Sequence, residues 1–553
     1  MVPRMHLTSL AIFLPFFPSR IIRRRGVRVA VTIGRFCIAH NDPSCYPACM
    51  SQPNILIFMV DQLTGTLFPD GPVEWLHAPN LRSLAQRSVR FSNCYTPSPL
   101  CAPARACFMS GQLPSRNGVY DNAAELRADT PTFAHTLRAA GYKTCLSGKM
   151  HFVGPDQLHG FEDRLTTDVY PADFGWTPDY RKPGDRVDWW YHNMGSVTGA
   201  GVAEISNQLE YDDEVAHHAR AKVYDLARGR DERPWMLTVS FSHPHDPYVT
   251  RRRYWDLYED CEHLLPDVPA IPWERQDPHS QRILDANDWK NFTITEEDIK
   301  RSRRAYFANV SYVDEQIGSV LEALRTTRAE ENTVVLFLSD HGDMLGERGL
   351  WFKMSPFDGS SRVPLLLSIP GVEPDLVSDP VSLVDIHPTL AEIAGAEPFG
   401  VTPWVDGESL MPLTAKGHRD NPVFMEYAAE ASCAPLLSIR QGRWKLNRCV
   451  LDPDQLFDLE TDPRELDNLA GREEFLAIHR DLSRKMDEQW DAQKLDQDVR
   501  RSQQRRLAVY NALRKGTYTP WDYQPRRDAS DRYMRNHMDL NVLEERNRFP
   551  RGE

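Results

Sequence analysis

The sequence lacks the features of several specialised protein classes. Only 10 of its 553 residues are cysteine, and none lies in a C-x-x-C pair, so a disulfide-built scaffold is excluded and a reducing, cytoplasmic setting is favoured. No hydrophobic run is long enough to span a bilayer. Basic charge is not in excess, because 65 Lys and Arg face 78 Asp and Glu, giving a formal net charge of −13. This balance disfavours a nucleic-acid binder or a partner of anionic membranes.

The composition is otherwise that of a globular enzyme. Hydrophobic residues make up 41% and aromatic residues 10% of the chain, which is enough for a sizeable core. The length favours one large α/β enzyme domain with an appendage, or three to four smaller units. In residues 1–50 an apolar run at 10–17 precedes the main basic cluster at 23–25, the reverse of a secretory signal. We therefore predict a disordered extension without a role in function, with a transit peptide as the alternative.

Four largely apolar runs of strand length each end in polar residues that can do chemistry. Such runs are typical of strands buried on both faces of a parallel sheet. The runs and their endings are residues 54–60 with Asp61, 143–146 with 147–151, 235–241 with 242–246, and 333–338 with 339–342. Ligand sites of open α/β sheets lie beyond the carboxyl ends of the strands, so we expect these endings to converge in one crevice.

The predicted fold class is α/β, with a large mixed, mostly parallel central sheet flanked by helices over residues 53–430. Strand-like alternation at 436–446, and a further short strand at 456–459 after a turn, predict a smaller antiparallel sheet. We assign residues 431–490 to a small C-terminal α+β subdomain. Residues 491–553 are predicted to form a C-terminal helix and tail.

One segment stands out for its chemistry, from Pro99 to Gly111. Cys101 stands two residues before Pro103, a residue suited to the first turn of a helix. We therefore expect Cys101 at a helix N-terminus, where backbone N–H groups favour an anion. An activated thiol or a derivative of it fits this position.

The residues Cys101-Ala102-Pro103-Ala104-Arg105, followed by 111–116, resemble the signature of the type I sulfatases of the alkaline phosphatase superfamily. The resemblance covers residues 53–470. It implies that a formylglycine-generating enzyme oxidises Cys101 to formylglycine. Two positions depart from the family pattern: Ala104 stands where many members have Ser, and Gln62 stands where many have a second Asp.

Within that family, five segments are similar to the choline-sulfatases, which extends the resemblance from Ser51 to the C-terminus. These segments are residues 68–72, 147–160, 173–180, 188–201 and 532–553. The implied substrate is choline O-sulfate, which is hydrolysed to choline and sulfate. A place in choline metabolism and glycine betaine biosynthesis follows from this resemblance alone.

A metal site is indicated by the residues themselves. Asp61 and Asp340 end two strands that are predicted to be neighbours, and both offer the hard oxygen ligands that divalent cations prefer. His341 lies beside them. The resemblance implies one divalent ion, Ca²⁺ with Mg²⁺ or Mn²⁺ as alternatives. Its implied ligands are Asp61, Gln62, the modified Cys101, Asp340 and His341.

The resemblance also implies a two-step mechanism. One hydroxyl of the hydrated aldehyde at position 101 attacks sulfur and leaves a covalent sulfo-enzyme, and the second hydroxyl then expels sulfate. Arg105 is expected to orient the hydrate and His151 to help deprotonate it. Lys149 and Lys353 are expected to neutralise the sulfate oxygens. His245 is expected to protonate the leaving oxygen, in preference to His243.

A quaternary ammonium cannot donate hydrogen bonds, so aromatic faces and carboxylates must recognise the choline end. The candidate residues are Trp176, Trp351, Trp521 and Tyr523, with Asn122, Glu426, Glu430 and Asp522 as polar neighbours. The resemblance favours Asn122, Trp176, Glu430 and Asp522. If the tail contributes across a subunit boundary, the enzyme is a homo-oligomer, a dimer or a tetramer.

Two other functions stay open at this point. A phosphonate monoester or phosphodiester hydrolase has a related site with a formylglycine, an Asp-Gln pair and an Asp-His pair. A catalytically silent protein that only binds choline-like osmolytes is the alternative from another class. The preferred substrate distinguishes the first alternative from a sulfatase, and the modification state of Cys101 tests the second.

Overall fold

The structure is a computed structural model that describes residues 52–182, 192–396 and 404–525, together with the single positions 539, 542 and 546. The prediction made for residues 1–50 lies outside the described residues. In the described part of the chain, no helix is both long enough and apolar enough to cross a membrane.

The described residues form 17 strands and 14 α-helices. The strands are β1 (Asn54–Asp61), β2 (Val89–Phe91), β3 (Cys94–Tyr95), β4 (Lys143–Gly148), β5 (Asp163–Arg164), β6 (Gly201–Val202), β7 (Trp235–Pro244), β8 (Val249–Thr250), β9 (Thr333–Ser339), β10 (Arg362–Val363), β11 (Leu365–Ser368), β12 (Asp375–Val377), β13 (Val381–Ser382), β14 (Val423–Tyr427), β15 (Leu436–Gln441), β16 (Trp444–Cys449) and β17 (Gln455–Asp458). The helices are α1 (Pro79–Ala85), α2 (Cys101–Ser110), α3 (Pro114–Asn117), α4 (Phe133–Ala139), α5 (Gly195–Thr198), α6 (Asn207–Arg228), α7 (Arg252–Trp255), α8 (Pro278–Ala286), α9 (Glu296–Thr326), α10 (Asp358–Ser361), α11 (Ile386–Ile393), α12 (Met411–Thr414), α13 (Leu476–Gln489) and α14 (Ala492–Leu513).

An eight-stranded sheet forms the centre of the molecule, in the order β12-β2-β11-β9-β1-β7-β4-β5. Strands β9, β1, β7, β4 and β5 pair in parallel, and only β11 runs against its two neighbours. The predicted large, mixed and mostly parallel sheet is confirmed. The four apolar runs of the sequence are its four adjacent central strands.

The sheet separates two hydrophobic cores, and β1 shows why its sequence is apolar throughout. Leu56, Phe58 and Val60 pack into the core on one face, whereas Ile55 and Met59 pack into the core on the other. Successive side chains of a strand point to opposite faces, so a strand covered on both faces needs an unbroken apolar run. The long helices α6 and α9 cover the first of these faces.

A four-stranded antiparallel sheet, β14-β15-β16-β17, lies towards the C-terminus, as the alternation predicted. The run 436–446 is not one strand, because a turn at Gly442 with positive φ folds it into the hairpin β15–β16. Helices α13 and α14 pack against this sheet through Leu482, Met486 and Val499. These two helices are separated by a break at Trp490 and Asp491.

Candidate active site

The carboxyl ends of the two central strands β1 and β9 bring together the acidic residues. The strands pair in register, with Val60 opposite Ser339, so Asp61 and Asp340 follow at the same edge of the sheet. Both side chains are fully buried, as is that of His341. The expected convergence of strand endings therefore occurs, and it occurs at the edge where ligands bind in open α/β sheets.

Cys101 is the first residue of α2, as the position of Pro103 predicted. Its Sγ lies 3.1 Å from Nε2 of His341 and 3.7 Å from Oδ1 of Asp61. Burial raises the pKa of the Cys101 thiol to about 11, and the carboxylate of Asp61 adds to the effect. The backbone N–H of Ala102, in the first turn, donates to Oδ1 of Asn122 at 2.9 Å.

Arg105 lies one helical turn after Cys101 and is completely buried. Its guanidinium donates to Oδ2 of Asp340 at 2.8 Å, to Oδ2 of Asp61 at 3.0 Å, to the carbonyl of Lys149 at 2.6 Å and to Oγ of Ser240 at 2.8 Å. A buried charge is tolerated only when it is paired and hydrogen-bonded. Arg105 meets that condition by contacting residues in or directly after the four adjacent strands β9, β1, β7 and β4, and it thereby orients both carboxylates.

The orientation of the carboxylates leaves a set of donors that fits a divalent cation. The Oδ2 atoms of Asp61 and Asp340 bind Arg105, whereas their Oδ1 atoms lie 3.6 Å and 3.7 Å from Nε2 of His341. One donor atom each from Asp61, Cys101, Asp340 and His341 lies within 4.8 Å of the other three. Two carboxylates with one imidazole suit Ca²⁺, Mg²⁺ or Mn²⁺.

His341 is prepared to act as a ligand. Nδ1 of its ring lies 3.1 Å from the carbonyl of Gly342, which favours the tautomer that leaves Nε2 unprotonated. Burial lowers the pKa of His341 to about 4, although Asp340 opposes the effect. The ring is therefore neutral near pH 7, the form that binds metals.

The side-chain carbonyl of Gln62, a position that departs from the family pattern, faces Lys353. Its Oε1 accepts a hydrogen bond from Nζ of Lys353 at 2.5 Å, and its Nε2 donates to Asp343 at 2.7 Å and to Asp246 at 3.3 Å. The two carboxylates determine which way the amide faces. Its backbone N–H donates to Oδ1 of Asp340 at 3.1 Å, so Gln62 borders the candidate metal site.

Lys149, after β4, places a second positive charge at the site. Its Nζ donates to Oδ2 of Asp61 and lies 4.1 Å from the ring centroid of Tyr170. Burial lowers the pKa of Lys149, but the carboxylate of Asp61 outweighs this and raises it overall. Burial likewise raises the pKa of Asp61, and the charges of Lys149 and Arg105 reverse the shift and hold it well below the usual value.

His245 and Lys353 form a hydrogen-bonded pair. Nζ of Lys353 lies 2.7 Å from Nε2 of His245, and Nδ1 of His245 lies 2.6 Å from the carbonyl of Asp246. Burial and the charge of Lys353 lower the pKa of His245 well below its usual value. His243 instead lies 2.7 Å from Asp212 through Nδ1 and packs on Tyr312, which explains why the two histidines differ.

His151 has an unusual environment. It is buried and has a φ of 56°, and its backbone N–H donates to Asp168 at 2.9 Å. Neither ring nitrogen has a hydrogen-bond partner among the described residues. Burial, assisted by Lys149, lowers the pKa of His151 to about 3. Its ring packs against Tyr170 and Trp176, so it lies between the candidate catalytic groups and the candidate cation pocket.

The candidate cation-binding residues lie in separate loops. Trp176 packs edge-on against Tyr170, with ring centroids 5.2 Å apart. Asn122 accepts a hydrogen bond from the backbone N–H of Ala102, in the first turn of α2. Oε1 of Glu430 is buried without a hydrogen-bond partner among the described residues, and burial, with Asp121 adding to it, raises the pKa of Glu430 to about 8. Asp522 accepts from the backbone N–H of Ala172 at 3.1 Å.

The other aromatic and acidic candidates have structural contacts. Trp351 packs on Tyr248 in the core, and Glu426 accepts hydrogen bonds from Ser115 and from Nε1 of Trp490. In the tail, Trp521 packs on Phe174 at 5.1 Å, and Tyr523 lies under Arg164 at 5.0 Å. The tail up to residue 525 therefore contacts the loop that carries Trp176 in its own chain.

Sequence reasoning missed Tyr170, His192 and Asp246. Tyr170 lies between Lys149, His151 and Trp176, and His192 packs on His245 at 5.2 Å. Asp246 offers a carboxylate oxygen to both histidines. Asp246 was visible as an ending of β7. Tyr170 and His192 lie in loops without a local signal, apart from the similarity noted at residues 188–201.

Comparison with known proteins agrees with this geometry. A family model described as "Sulfatase" matches residues 53–396, one described as "Choline sulfatase enzyme C terminal" matches 497–549, and one described as "N-sulphoglucosamine sulphohydrolase, C-terminal" matches 346–492. A Choline-sulfatase of Rhizobium meliloti (strain 1021) is 63% identical over 511 residues, which cover 91% of this chain and 99% of that protein. An Arylsulfatase of Clostridium perfringens is 29% identical over 450 residues, 77% of this chain and 91% of that protein.

Among solved structures, the phosphonate monoester hydrolase of Silicibacter pomeroyi superposes with a TM-score of 0.63 at 23% identity, covering 79% of this chain and 94% of that one. The fold and the site thus define an enzyme of the alkaline phosphatase-like α/β class. More narrowly, the chain belongs to the sulfatase family, and it is a sulfuric ester hydrolase.

Proposed function

We propose that this protein hydrolyses choline O-sulfate to choline and sulfate, through a formylglycine formed from Cys101. The observation that carries the proposal is the position of Cys101, at the start of α2 and within 3.1 Å of His341 and 3.7 Å of Asp61. The 63% identity to a Choline-sulfatase over 91% of the chain supports the choice of substrate. The segments matched by the sulfatase and choline-sulfatase C-terminal models support it as well.

The modification replaces the thiol of Cys101 with an aldehyde. This oxidation removes the sulfur, so it needs a formylglycine-generating enzyme and an external oxidant such as dioxygen. The hydrated aldehyde supplies one hydroxyl that attacks sulfur and a second whose deprotonation later expels sulfate and restores the carbonyl. A sulfate ester of Ser or Thr has no second hydroxyl on the same carbon, so it cannot expel sulfate in this way.

The candidate metal site lies beside this position. Asp61, Asp340 and His341 are the residues that hold a divalent ion in the proposal, with Ca²⁺ as first choice and Mg²⁺ or Mn²⁺ as alternatives, and Gln62 at the border of the site. A bound ion acts as a Lewis acid and lowers the pKa of a hydroxyl that coordinates it. Arg105 fixes both carboxylates through their Oδ2 atoms, which would leave the Oδ1 atoms to hold the ion.

The cations of the site are assigned to the sulfate oxygens. The ammonium group of Lys149 is bound to Asp61, and that of Lys353 is bound to the neighbouring Gln62. Preorganised charges of this kind stabilise the charge that develops in the transition state, commonly the largest contribution to catalysis. His151 is assigned to deprotonation of the hydrate, as the sequence predicted, because its ring nitrogens are unengaged.

Departure of choline requires a proton on the alkoxide oxygen. His245 is assigned this role together with Lys353, because the ammonium of Lys353 lies 2.7 Å from Nε2 of His245. Because Nδ1 of His245 lies 2.6 Å from the carbonyl of Asp246, the favoured tautomer has its proton on Nδ1, and Nε2 is free to accept a proton from Lys353 and pass it to the leaving oxygen. The S–O bond to choline breaks as the S–O bond to position 101 forms. His151 takes up one proton from the hydrate while Lys353 gives one to the leaving oxygen, so the total charge of the site does not change.

At the other end of the substrate, we assign the trimethylammonium group to a pocket formed by Trp176, Asn122, Glu430 and Asp522. Trp176 supplies an aromatic face, and each cation–π contact contributes about 0.5 to 2 kcal/mol. A cytoplasmic location and a dimer or tetramer that involves the tail belong to the same proposal. All seven cysteines in the described residues are free thiols, which suits a reducing compartment.

Mass spectrometry of the tryptic peptide that contains Cys101, from protein made in its natural host, tests the nucleophile. An aldehyde mass is expected, and an unmodified thiol at full occupancy contradicts the mechanism. Substrate choice is tested by kcat/KM for choline sulfate against a phenylphosphonate monoester. A marked preference for the phosphonate contradicts the sulfatase assignment and supports the phosphonate monoester hydrolase, whereas binding of choline without any turnover supports the silent osmolyte binder.

A further inference from the structure

An arginine on the buried face of the C-terminal helix α14 has no role in the mechanism described so far. The buried residues of this helix include Leu495, Val499, Gln503 and Arg506, whose spacing places them on one face. Three of its outward positions carry exposed arginine or lysine, as expected of a surface helix. Arg506 is different, because only 7% of its side chain is exposed.

The guanidinium of Arg506 forms a two-pronged pair with Asp121. NH1 and NH2 each donate to one carboxylate oxygen at 2.6 Å, and NH1 also donates to Oγ1 of Thr177 at 3.0 Å. The side chain of Asp121 is completely buried. Paired forks of this kind are the strongest and most directional ion pairs in proteins.

The two partners of Arg506 are the chain neighbours of two candidate cation-binding residues. Asp121 precedes Asn122, and Thr177 follows Trp176. The guanidinium of Arg506 therefore connects the loop that carries Asn122 to the loop that carries Trp176. Gln503, one turn earlier on α14, accepts a hydrogen bond from the backbone N–H of Tyr180 at 3.1 Å and holds the same loop at a second point.

The side chain at position 101 has contacts other than those of the Arg506 fork. Sγ of Cys101 lies 3.1 Å from Nε2 of His341 and 3.7 Å from Oδ1 of Asp61, whereas the guanidinium NH1 and NH2 of Arg506 donate to Asp121 and Thr177. The loop of Asn122 also contacts the first turn of α2, through a small apolar cluster with residues 119–126 and through the hydrogen bond from Ala102. Loss of the Arg506 fork should disturb the two loops of the cation pocket directly, whereas a shift that reaches position 101 through Asn122 should lower turnover of both charged and uncharged substrates alike.

We propose that Arg506 is a positioning residue for substrate selectivity, which sets the distance between Trp176 and Asn122 and thereby the fit of the quaternary ammonium. The proposal rests on the choline-sulfatase function proposed above. It assigns to the C-terminal helix a part in recognition of the cation within a single chain.

The test compares choline sulfate with its uncharged isostere 3,3-dimethylbutyl sulfate, in which carbon replaces the ammonium nitrogen. The variant is Arg506→Met combined with Asp121→Asn, which removes both charges of the fork together and so avoids a buried unpaired carboxylate. We expect its selectivity, the ratio of kcat/KM for the two substrates, to fall by between about two- and thirty-fold, the range of one cation–π contact. Inhibition by choline should weaken by a similar factor, whereas inhibition by sulfate should not change.

A matched control is the pair Arg419 and Asp385. Its geometry is similar, with one hydrogen bond of 2.6 Å and side chains 10% and 0% exposed, but its other contacts are with residues 379–408. In the variant Arg419→Met with Asp385→Asn, kcat/KM should fall by the same factor for both substrates. An unchanged selectivity in the Arg506 and Asp121 variant, or a loss equal to that of the control, overturns the proposal.

If the double variant does not fold, Arg506→Lys decides by the same ratio. Lysine keeps a positive charge for Asp121 but cannot bridge Asp121 and Thr177 with a planar fork, so a fall in selectivity supports the proposal and an unchanged ratio overturns it. Failure of the underlying function gives a different result. In that case the unmodified sequence itself shows no preference for choline sulfate over the isostere.

Discussion

Replacement of Trp176 by leucine isolates the contribution of one aromatic face to recognition of choline. The indole is 8% exposed and packs edge-on against Tyr170 and His151, at centroid distances of 5.2 Å and 5.7 Å. Leucine keeps apolar bulk but offers no π face to a cation. A cation–π contact of about 0.5 to 2 kcal/mol corresponds to a loss of between about two- and thirty-fold in kcat/KM for choline sulfate.

The neutral isostere 3,3-dimethylbutyl sulfate corrects for every effect of the substitution other than charge. Both sulfate esters have the same shape, so lost packing and any shift of His151 lower their kcat/KM alike. Sulfate release is measured by ion chromatography for both substrates, with Trp176→Phe as the matched control that retains a ring. We expect the selectivity ratio to fall in Trp176→Leu and to fall less in Trp176→Phe. Equal losses on both substrates would remove Trp176 from the cation pocket.

Three further predictions concern the nucleophile, the metal site and the pH dependence. Cys101→Ala should reduce kcat by about 10⁴-fold or more with an unchanged circular dichroism spectrum, because a covalent nucleophile is lost, and appreciable residual turnover contradicts the covalent mechanism. Treatment with a chelator should abolish activity and lower Tm by about 3 °C, the effect of losing an ion present at about 100 times its Kd from a chain of this size. Re-addition of Ca²⁺, Mg²⁺ or Mn²⁺ then identifies the ion. If the chelator lowers the Tm of the Asp61→Asn variant by the same amount, the ion is not bound at this site. Burial, with Asp121 adding to it, raises the pKa of Glu430 to about 8, so the carboxyl is neutral below that pH and attracts a cation only above it. KM for choline sulfate should therefore fall as the pH rises from about 7 to about 9, and this trend should be absent for the isostere and in Glu430→Gln.

The parts of the fold that were predictable are those with a local signal. The runs that became β1, β4, β7 and β9 are largely apolar, because both faces of the sheet are covered. Pro103 correctly placed Cys101 at the start of α2. The hairpin turn at Gly442 was overlooked, since alternation continues through it and hides the boundary between β15 and β16.

The candidate site was predictable where residues follow a strand, and much less so elsewhere. Asp61, Lys149, His245 and Asp340 end strands of one sheet, so their convergence follows from topology. Tyr170 and His192 come from loops, where no periodicity tells which side chain points inward. The orientation of the Gln62 carbonyl towards Lys353 depends on Asp343 and Asp246, which are 281 and 184 residues away in the chain.

The sequence by itself determined the α/β class, the resemblance to sulfatases and the identity of the residues at the candidate metal site. These properties depend on local patterns, namely apolar runs, a helix-starting Pro and short motifs. Only the tertiary structure decided that one oxygen of each carboxylate faces Arg105 and the other faces His341, and that Arg506 joins the loops of Asn122 and Trp176. The scarcity of net positive charge had left open how the protein holds an anion. The fold buries Lys149 and Lys353, the two cations that we propose for the sulfate oxygens, and charges act more strongly in an interior of low dielectric constant than in water.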